Sequence, residues 1–492
     1  MTYRCSITSR LVICGGKNMN KKCQVFTPEN YVRELLDSVG YTEHLYGRKI
    51  LENSCGDGNI LVAVVQRYID DCIAGGLSRT RIKNGLARDI YGVEIDPKQY
   101  QKCIENLNEV LKKNHINQIE WKVYNFDYLR WNNTIQFQFI IGNPPYITYS
   151  ELKKNEQKYV RETFETCAKG KFDYCYAFIE KGIQSLAQNG KMSYLIPSSI
   201  YKTVFGFNLR TYMKPYISII KDYTQERVFN NALVKSSIMV LDMQRQQEIL
   251  HYRDMTLGTV IDIPVDQLTD KWFFTENETK GIHRFGDYFK VSHVVATLLN
   301  EAYVLKEEDY EETEQGFLCK GHHIEREMVR DTATPRSLRY ERKEKIIFPY
   351  TYENGHLAGF DEGVFESTYP ETAAYLNDFK EKLDKRQKDK NAKWYEYGRT
   401  QALARLEDDK LLISTVITDK VAVYRLTKNC IPYAGMYVVC CDDNSEYTLE
   451  DAMRILESRD FRQYVLDVGI HISGSSLRIT SKDVEDYKFQ EE

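Results

Sequence analysis

The sequence predicts a doubly wound α/β sheet with mostly parallel strands, followed by a domain of mixed α and β structure. Between about residues 21 and 243, short apolar runs alternate with stretches of helical periodicity, which is typical of repeated βαβ units. The apolar runs predict strands at 50–51, 90–95, 121–124, 137–141 and 192–196, and helices are expected at 61–69, 98–112 and 174–187. From about residue 251 the segments become irregular, with clustered charges and aromatic residues.

The chain has 492 residues, which is more than one ordinary hydrophobic core accommodates, so two domains are expected. We place an N-terminal tail at 1–22, the α/β domain at 23–250 and the mixed α+β domain at 251–492. Two short β-like runs are expected in the last domain, at 411–416 and 421–426, together with a basic helix at 377–393.

The amino-acid composition limits where in the cell the protein is expected and which ligands it is expected to bind. The twelve cysteines contain no Cys-x-x-Cys pair and His322-His323 has no partner at ligand spacing, so we expect no metal site. Reduced cysteines, the lack of a long apolar N-terminal run and the lack of any run near ~20 apolar residues predict a cytoplasmic protein without a membrane anchor. A net charge of −4 argues against coating nucleic acid by bulk charge, but it leaves room for a local basic surface.

Three predicted strands end in acidic residues, and the first leads into a glycine loop. Glu52 opens the segment Glu-Asn-Ser-Cys-Gly-Asp-Gly, in which Gly56 and Gly58 let the backbone approach a ligand closely. Glu94 ends the next strand, where an acid typically binds ribose hydroxyls, and Asp127 follows the third. Glu94 lies 42 residues after Glu52 instead of roughly 20, so the pattern requires an insertion at about 71–89.

The motif Asn143-Pro144-Pro145-Tyr146 directly follows the predicted strand at 137–141. By residue frequencies, this tetrapeptide occurs by chance in on the order of one chain in a thousand of this size. Two prolines fix the backbone and remove two N–H groups. The side-chain oxygen of Asn143 and the carbonyl of Pro144 can then accept hydrogen bonds from an aromatic amino group and localise its lone pair, while Tyr146 offers a stacking face. The alternative interpretation is a rigid turn without a catalytic role.

Taken together, these motifs resemble those of the gamma-class DNA N6-adenine methyltransferases, in which cofactor motifs precede the catalytic motif and a target-recognition domain follows. Within that class the chain is similar to the modification enzymes of type II restriction systems. The resemblance covers about 24–243 by motif and is looser beyond. It implies a Rossmann-like methyltransferase sheet, S-adenosyl-L-methionine as cofactor, and a C-terminal mixed α+β domain that reads the DNA sequence.

The resemblance also implies roles for individual residues. Thr27 is expected near the methionine end of the cofactor, Ile95 against its adenine and Phe178 closing the same pocket. Phe229 is expected to hold a flipped adenine against Tyr146. The cofactor-binding set is Thr27, Glu52, Ser54, Gly56, Gly58, Glu94, Ile95, Asp127 and Phe178, and the catalytic set is Asn143, Pro144, Tyr146 and Phe229.

The expected partner is double-stranded DNA, bound by a monomer, with any cutting done by a separate cognate endonuclease because only about 25 residues precede the first motif. Residues 379–393 carry seven Lys or Arg against three acids, so they are either a stripe that contacts phosphates or a solvated face. The same tetrapeptide also suits an RNA base methyltransferase or a protein glutamine methyltransferase, and both alternatives stay open.

Overall fold

The computed structural model describes residues 27–224, 235–244, 247–274, 281–353, 356–399, 402–403, 405–442, 446–473 and 475–490. The chain divides into two compact units, Met1–Phe274 and Thr275–Glu492. The boundary therefore lies 24 residues beyond the predicted position (274 against 250). The reason is that two further strands after residue 248 hydrogen-bond to the sheet of the first unit and extend it.

Within the described part of the first unit, one sheet contains nine strands in the order β3-β2-β1-β4-β5-β7-β6-β8-β9. The strands are β1 (Ile50–Glu52), β2 (Ile90–Glu94), β3 (Lys122–Asn125), β4 (Phe137–Gly142), β5 (Leu186–Pro197), β6 (Ile217–Asp222), β7 (Ser236–Asp242), β8 (Ile249–Asp254) and β9 (Val260–Pro264). The first five strands are mutually parallel, and β7 runs antiparallel to both β5 and β6. The predicted doubly wound α/β sheet is confirmed.

Helices cover both faces of this sheet. They are α1 (Glu29–Ser38), α2 (Asn59–Ala74), α3 (Arg79–Asp89), α4 (Pro97–Lys113), α5 (Lys154–Thr163), α6 (Cys175–Ser185) and α7 (Phe207–Met213). One apolar core contains side chains of α1, α2 and α4, and a second contains those of α6 and α7. Successive residues of β4 pack on opposite faces of the sheet: Ile140 lies in the second core and Ile141 in the first. None of the described helices is both long and apolar enough to cross a membrane.

Helix α3 accounts for the long spacing between the two strand-end acids. It lies between α2 and β2, where the sequence required an insertion, and the buried carboxylate of Asp89 fixes its end. Asp89 accepts hydrogen bonds from the Tyr68 hydroxyl at 2.7 Å and from the backbone N–H of Gly47 at 2.8 Å. The inserted helix is thus attached to the unit without displacing β2 from its place beside β1.

The second unit consists of several small sheets and short helices. Its strands are β10 (His283–Arg284), β11 (Phe289–His293), β12 (Val304–Lys306), β13 (Tyr310–Thr313), β14 (Gly316–Cys319), β15 (His322–Glu325), β16 (Val329–Ala333), β17 (Glu344–Ile347), β18 (Tyr350–Glu353), β19 (His356–Gly359), β20 (Lys410–Ile413), β21 (Val416–Ile417), β22 (Val423–Leu426), β23 (Cys430–Pro432), β24 (Met436–Cys440), β25 (Ile470–Ser473), β26 (Ser476–Arg478) and β27 (Lys488–Phe489). Its helices are α8 (Phe285–Tyr288), α9 (Asn300–Tyr303), α10 (Pro335–Arg339), α11 (Glu362–Thr368), α12 (Pro370–Asn377), α13 (Lys380–Asp384), α14 (Leu449–Glu457), α15 (Arg459–Val468) and α16 (Ser481–Glu485). The expected mixed α+β character is confirmed.

Tyrosines supply much of the core of the second unit. Tyr303, Tyr350 and Tyr397 are buried together, with the Tyr350 and Tyr397 ring centroids 5.3 Å apart. The Tyr397 hydroxyl donates to the carbonyl of Ile347 at 2.7 Å, so its polar end is satisfied inside the core. Part of the unusually high tyrosine content of the chain is therefore structural.

Candidate active site

The candidate site lies where the strand order of the first unit reverses. Strands β1 and β4 are parallel neighbours at the centre of the sheet, yet β2 and β3 lie on one side of them and β5 on the other. In open α/β sheets, ligands bind at the carboxyl ends of the strands at this switch point. Glu52, Glu94 and Gly142 are the last residues of β1, β2 and β4, so the predicted acids and the catalytic motif reach the same edge.

The glycine loop after β1 has the backbone shape that its sequence predicts. Gly56 and Gly58 have φ of +54° and +87°, in the left-handed region that side chains disfavour. A Cβ at Gly58 would lie 2.7 Å from Cys103 Sγ, whereas one at Gly56 would meet nothing within 4 Å. Gly58 is therefore required for packing between the loop and α4, and Gly56 leaves open space beside the loop.

Glu94 joins the glycine loop to β2. Its carboxylate accepts hydrogen bonds from the backbone N–H groups of Gly56 at 2.8 Å and Asp96 at 2.7 Å. Burial raises the pKa of Glu94 despite these bonds. A carboxylate offers about four acceptor positions, so Glu94 retains capacity to accept from a ligand hydroxyl as well.

Glu52 is buried at 2% exposure, and its Oε2 has no hydrogen-bond partner among the described residues. Burial raises its pKa well above the ordinary value, and the neighbouring Cys103 and Glu94 add to the effect. A buried carboxyl oxygen without a partner is costly unless a ligand satisfies it. This atom therefore suits a ligand group that donates a hydrogen bond or carries positive charge.

The motif Asn143-Pro144-Pro145-Tyr146 is held from two sides. Asn143 Nδ2 donates to Thr27 Oγ1 at 3.3 Å, and the backbone carbonyl of Asn143 accepts from Ser54 Oγ at 3.4 Å. Asn59 donates to the Thr27 carbonyl at 2.6 Å. These contacts leave Asn143 Oδ1 buried and without a hydrogen-bond partner among the described residues. A fixed amide with a free acceptor oxygen is the arrangement needed to bind an amino group.

The remaining residues of the motif are also fixed. Pro144 is buried, and the half-buried Tyr146 donates from its hydroxyl to the carbonyl of Leu195 at 2.7 Å. Burial raises the pKa of Tyr146 well above its ordinary value, so its hydroxyl stays protonated as a donor. Anchoring the ring by its polar end fixes the orientation of the aromatic face.

Three predicted cofactor residues lie at or near the ends of β2 and β3 or on α6. Asp127 caps the turn that follows β3 by accepting from the Leu129 N–H at 3.0 Å, and it forms an ion pair with Arg130. Phe178 on α6 is buried, with the ring centroid of Tyr128 5.4 Å away. Ile95 follows the last residue of β2 and is 47% exposed, so its side chain is accessible at this edge of the sheet. Phe229 lies outside the described residues.

Sequence reasoning missed three asparagines that shape the site. Asn59 fixes Thr27, and Asn125 donates to the backbone carbonyls of Glu94 at 2.8 Å and Ile95 at 3.1 Å. Asn53, directly after β1, donates to the hydroxyl of Tyr194 on β5. Each asparagine stands within one residue of a strand end or a helix start, which was an available signal. Among the described residues, no group of three or more His, Cys, Asp or Glu is arranged to bind a metal.

Comparison with known proteins agrees with this geometry. Residues 68–229 match the family described as Eco57I restriction-modification methylase. The chain is similar to the type II methyltransferase M.BstVI of Geobacillus stearothermophilus, with 29% identity over 202 residues, or 38% of this chain and 36% of that one. It is also similar to the type II restriction enzyme and methyltransferase RM.Eco57I of Escherichia coli, with 23% identity over 377 residues, or 66% and 37%.

A third relative is the modification methylase CviBIII of Paramecium bursaria Chlorella virus NC1A, with 32% identity over 184 residues, or 37% of this chain and 39% of that one. The matches therefore span well under half the length of these three curated relatives. The chain is a homologue of type II methyltransferases, and the predicted resemblance is confirmed at the family level. S-adenosyl-L-methionine is the cofactor expected of this family, as the sequence predicted.

Two solved structures resemble the chain over nearly its whole length. One is the type IIL restriction-modification enzyme MmeI in complex with DNA, with a TM-score of 0.61 and 14% identity over 93% of this chain and 65% of that one. The other is a nuclease-deletion mutant of the type ISP enzyme LlaGI with a DNA substrate mimic, with a TM-score of 0.57 and 12% identity over 94% and 46%. At these identities the likeness establishes the fold.

Proposed function

We propose that this homologue of the Eco57I-type methylases is a site-specific DNA methyltransferase that transfers a methyl group to the N6 amino group of adenine. In this proposal the first unit carries the reaction and the second unit recognises the DNA sequence. The observation that carries the proposal is that Asn143 Oδ1, in a proline-stiffened loop at the switch point of the sheet, is buried and has no hydrogen-bond partner among the described residues.

The residues at the strand ends fit S-adenosyl-L-methionine. The Oε2 of Glu52, which has no partner in the part of the chain that the structure describes, suits the positively charged end of the cofactor. The open space beside Gly56 admits a ligand close to the backbone. Glu94 would accept from ribose hydroxyls, and Ile95 and Phe178 would contact the adenine. Asp127 would bind the adenine amino group with the acceptor capacity that its ion pair with Arg130 leaves. When bound, this cofactor supplies an electrophilic methyl group on a sulfonium.

The side chains of the motif act on the target base. An exocyclic amino nitrogen is a poor nucleophile because its lone pair is delocalised into the ring. Asn143 Oδ1 and the Pro144 carbonyl would accept hydrogen bonds from that amino group and favour a geometry in which the lone pair is localised. Thr27 and Ser54 hold Asn143 in place, so little reorganisation is needed when the base arrives.

The target base must leave the duplex to reach such a site, so the proposal includes base flipping. The ring of Tyr146, anchored through Leu195, would stack on one face of the flipped adenine. Phe229 would cover the other face. We further propose that the protein acts as a monomer in the cytoplasm, as the modification enzyme of a restriction-modification system with a separate nuclease.

The test is to supply the purified protein with methyl-labelled S-adenosylmethionine and, in parallel, mixed-sequence duplex DNA, single-stranded RNA or a protein extract. We expect label in the duplex, recovered after enzymatic hydrolysis as N6-methyladenine. Label recovered as N4-methylcytosine would overturn the choice of base, and label in RNA or polypeptide alone would overturn the choice of substrate. Sequencing the modified DNA then identifies the recognition site.

A further inference from the structure

The connection between β16 and β17 carries a cluster of exposed basic side chains. We call residues 334–343 the basic tip; they include the short helix α10 and read Thr-Pro-Arg-Ser-Leu-Arg-Tyr-Glu-Arg-Lys. Arg336, Arg339, Arg342 and Lys343 are all exposed, against one acid, Glu341. The tip thus carries a net charge of +3 (four cations minus one acid) in a chain whose net charge is −4.

Among the described residues, the cations of the basic tip have no acidic partner. Within the described part of the chain, none of these four side chains takes part in an ion pair or a side-chain hydrogen bond, although Arg339 and Arg342 lie near the ring of Tyr340. Their guanidinium carbons are 6.0 and 5.7 Å from the ring centroid. Tyr340 itself is 58% exposed. An exposed aromatic ring flanked by unpaired guanidinium groups is a surface suited to nucleic acid.

The basic segment that the sequence singled out differs on this point. In residues 379–393, Lys382 pairs with Glu301 at 2.8 Å and Lys385 pairs with Glu381. Arg386 donates to the carbonyls of Thr297 at 2.5 Å and Trp394 at 3.0 Å, which makes it a structural residue. The single helix predicted over 377–393 is wrong: α12 ends at Asn377, and only the short α13 (Lys380–Asp384) lies within that range. Lys393 also pairs with Asp361 at 3.5 Å, so four of the seven cations of this segment are already engaged.

The basic tip is also rigid. The buried Thr334 and Ser337 cap α10 reciprocally, with two N–H to hydroxyl bonds of 2.8 Å. The Arg342 N–H donates to the Ser337 carbonyl at 2.9 Å, which closes the turn at its far end. Glu341 has a φ of +54°, and this left-handed residue turns the chain back toward β17. A surface whose backbone is already ordered loses less conformational entropy on binding.

We propose that the basic tip is a DNA-contacting surface, in which Arg336, Arg339, Arg342 and Lys343 bind backbone phosphates and Tyr340 packs against the sugars or bases between them. This inference rests on the proposed function, because it takes duplex DNA as the substrate. Phosphate contacts position a protein on DNA irrespective of sequence. Each such contact releases counterions, so it steepens the dependence of affinity on salt by about 0.9 in the logarithmic slope.

The test compares two double variants of the full chain with matched changes in net charge. Arg339→Ala/Arg342→Ala removes two free cations of the basic tip, and Lys382→Ala/Lys385→Ala removes two exposed cations that are paired with acids. Because phosphate contacts are not sequence-specific, binding to a fluorescent mixed-sequence duplex can be titrated between 50 and 200 mM salt without knowledge of the recognition site. Thermal unfolding of both variants verifies that they are folded.

We expect the tip variant to lower the logarithmic salt slope by about 1.8, from two contacts at about 0.9 each, so that the wild-type advantage in affinity falls by about 12-fold between 50 and 200 mM salt. The control variant should keep the wild-type slope. Equal slopes for the tip variant and the wild type would overturn the inference, as would a loss of affinity for single-stranded RNA but not for the duplex. If the wild type itself neither binds nor methylates duplex DNA, the proposed function fails instead, so the two failures are distinguishable.

Discussion

The candidate active site of the first unit and the basic tip of the second unit both present polar groups that have no partner in the described part of the chain, but in opposite environments. Glu52 Oε2 and Asn143 Oδ1 are buried, where an unsatisfied acceptor costs about 1–3 kcal/mol. The cations of the tip are exposed, where water solvates them at little cost. The two buried acceptors are positioned for a ligand at a cost in folding stability, whereas the exposed cations of the tip are positioned without such a cost. Variants at the first region should therefore change turnover and stability, and variants at the tip only affinity.

The largest effect is expected for Asn143→Ala. Removing one preorganised hydrogen-bonding group from a reacting centre typically lowers turnover by about 10²–10³-fold. Among the described residues the buried amide oxygen has no partner, so its removal relieves about 1–3 kcal/mol, while the lost bond to Thr27 costs about 0.5–1.5 kcal/mol. The free energy of unfolding should therefore rise by on the order of 1 kcal/mol. Single-turnover methyl transfer measures the first quantity and urea unfolding the second. Calorimetric titration with the cofactor is the control, and wild-type turnover in this variant would contradict the role of Asn143.

Gly58→Ala should lower stability by about 2–5 kcal/mol. The substitution combines a left-handed backbone at φ +87° with a Cβ that would lie 2.7 Å from Cys103 Sγ. Gly76→Ala is the matched control, since Gly76 has φ +72° but nothing within 4 Å, and it should cost only about 1 kcal/mol. Urea unfolding measures both variants. Adding Cys103→Ala to Gly58→Ala should recover part of the loss; if it recovers none, the contact with Cys103 is not the cause.

Glu52→Gln tests whether the buried carboxyl of Glu52 destabilises the folded protein when it is ionised. Burial raises the pKa of Glu52 in the folded protein, so its stabilising contribution is complete below the unfolded pKa of about 4.3 and is lost as pH rises through the folded pKa. The cofactor-free Gln variant should therefore match the wild type near pH 4 and exceed it by on the order of 1–3 kcal/mol at pH 7. Urea unfolding across this range measures the difference. A difference that does not change with pH would contradict the assignment.

Two substitutions of Tyr146 distinguish stacking by its ring from anchoring by its hydroxyl, and their expected effects are the smallest. Tyr146→Ala should weaken the hold on the flipped base by about 1–3 kcal/mol through lost stacking. Tyr146→Phe keeps the ring and removes only the hydrogen bond to the Leu195 carbonyl, so it should cost about 0.5–1.5 kcal/mol. Steady-state kcat/KM with genomic DNA measures both. Equal losses in the two variants would show that the hydroxyl, rather than the aromatic face, is the important feature.

The parts of the fold and site that could be predicted were those with a local signal. The strand at 137–141 and the motif after it were visible because an apolar run and two prolines constrain their own backbone. The partners of Asn143 were not visible. Thr27 is 116 residues away, and only the folded sheet brings its hydroxyl to the Asn143 amide.

The boundary between the two units also depends on contacts that are distant in sequence. A change in composition near residue 251 was a local signal, but β8 and β9 lie beyond it and still belong to the first sheet. Their assignment depends on hydrogen bonds to β6, which is more than 25 residues earlier in the chain. Composition alone could not detect this pairing.

By itself, the sequence determined the alternation of strands and helices, the acids at the strand ends and the Asn-Pro-Pro-Tyr motif, because these depend on periodicity and on spacing along the chain. Only the tertiary structure decided which polar atoms lack partners. It paired Lys382 with Glu301, 81 residues away, and left Arg339 and Arg342 without an acidic partner among the residues that the structure describes. The physical reason is that the availability of a charge or an acceptor depends on neighbours in space, and those neighbours are distant in sequence.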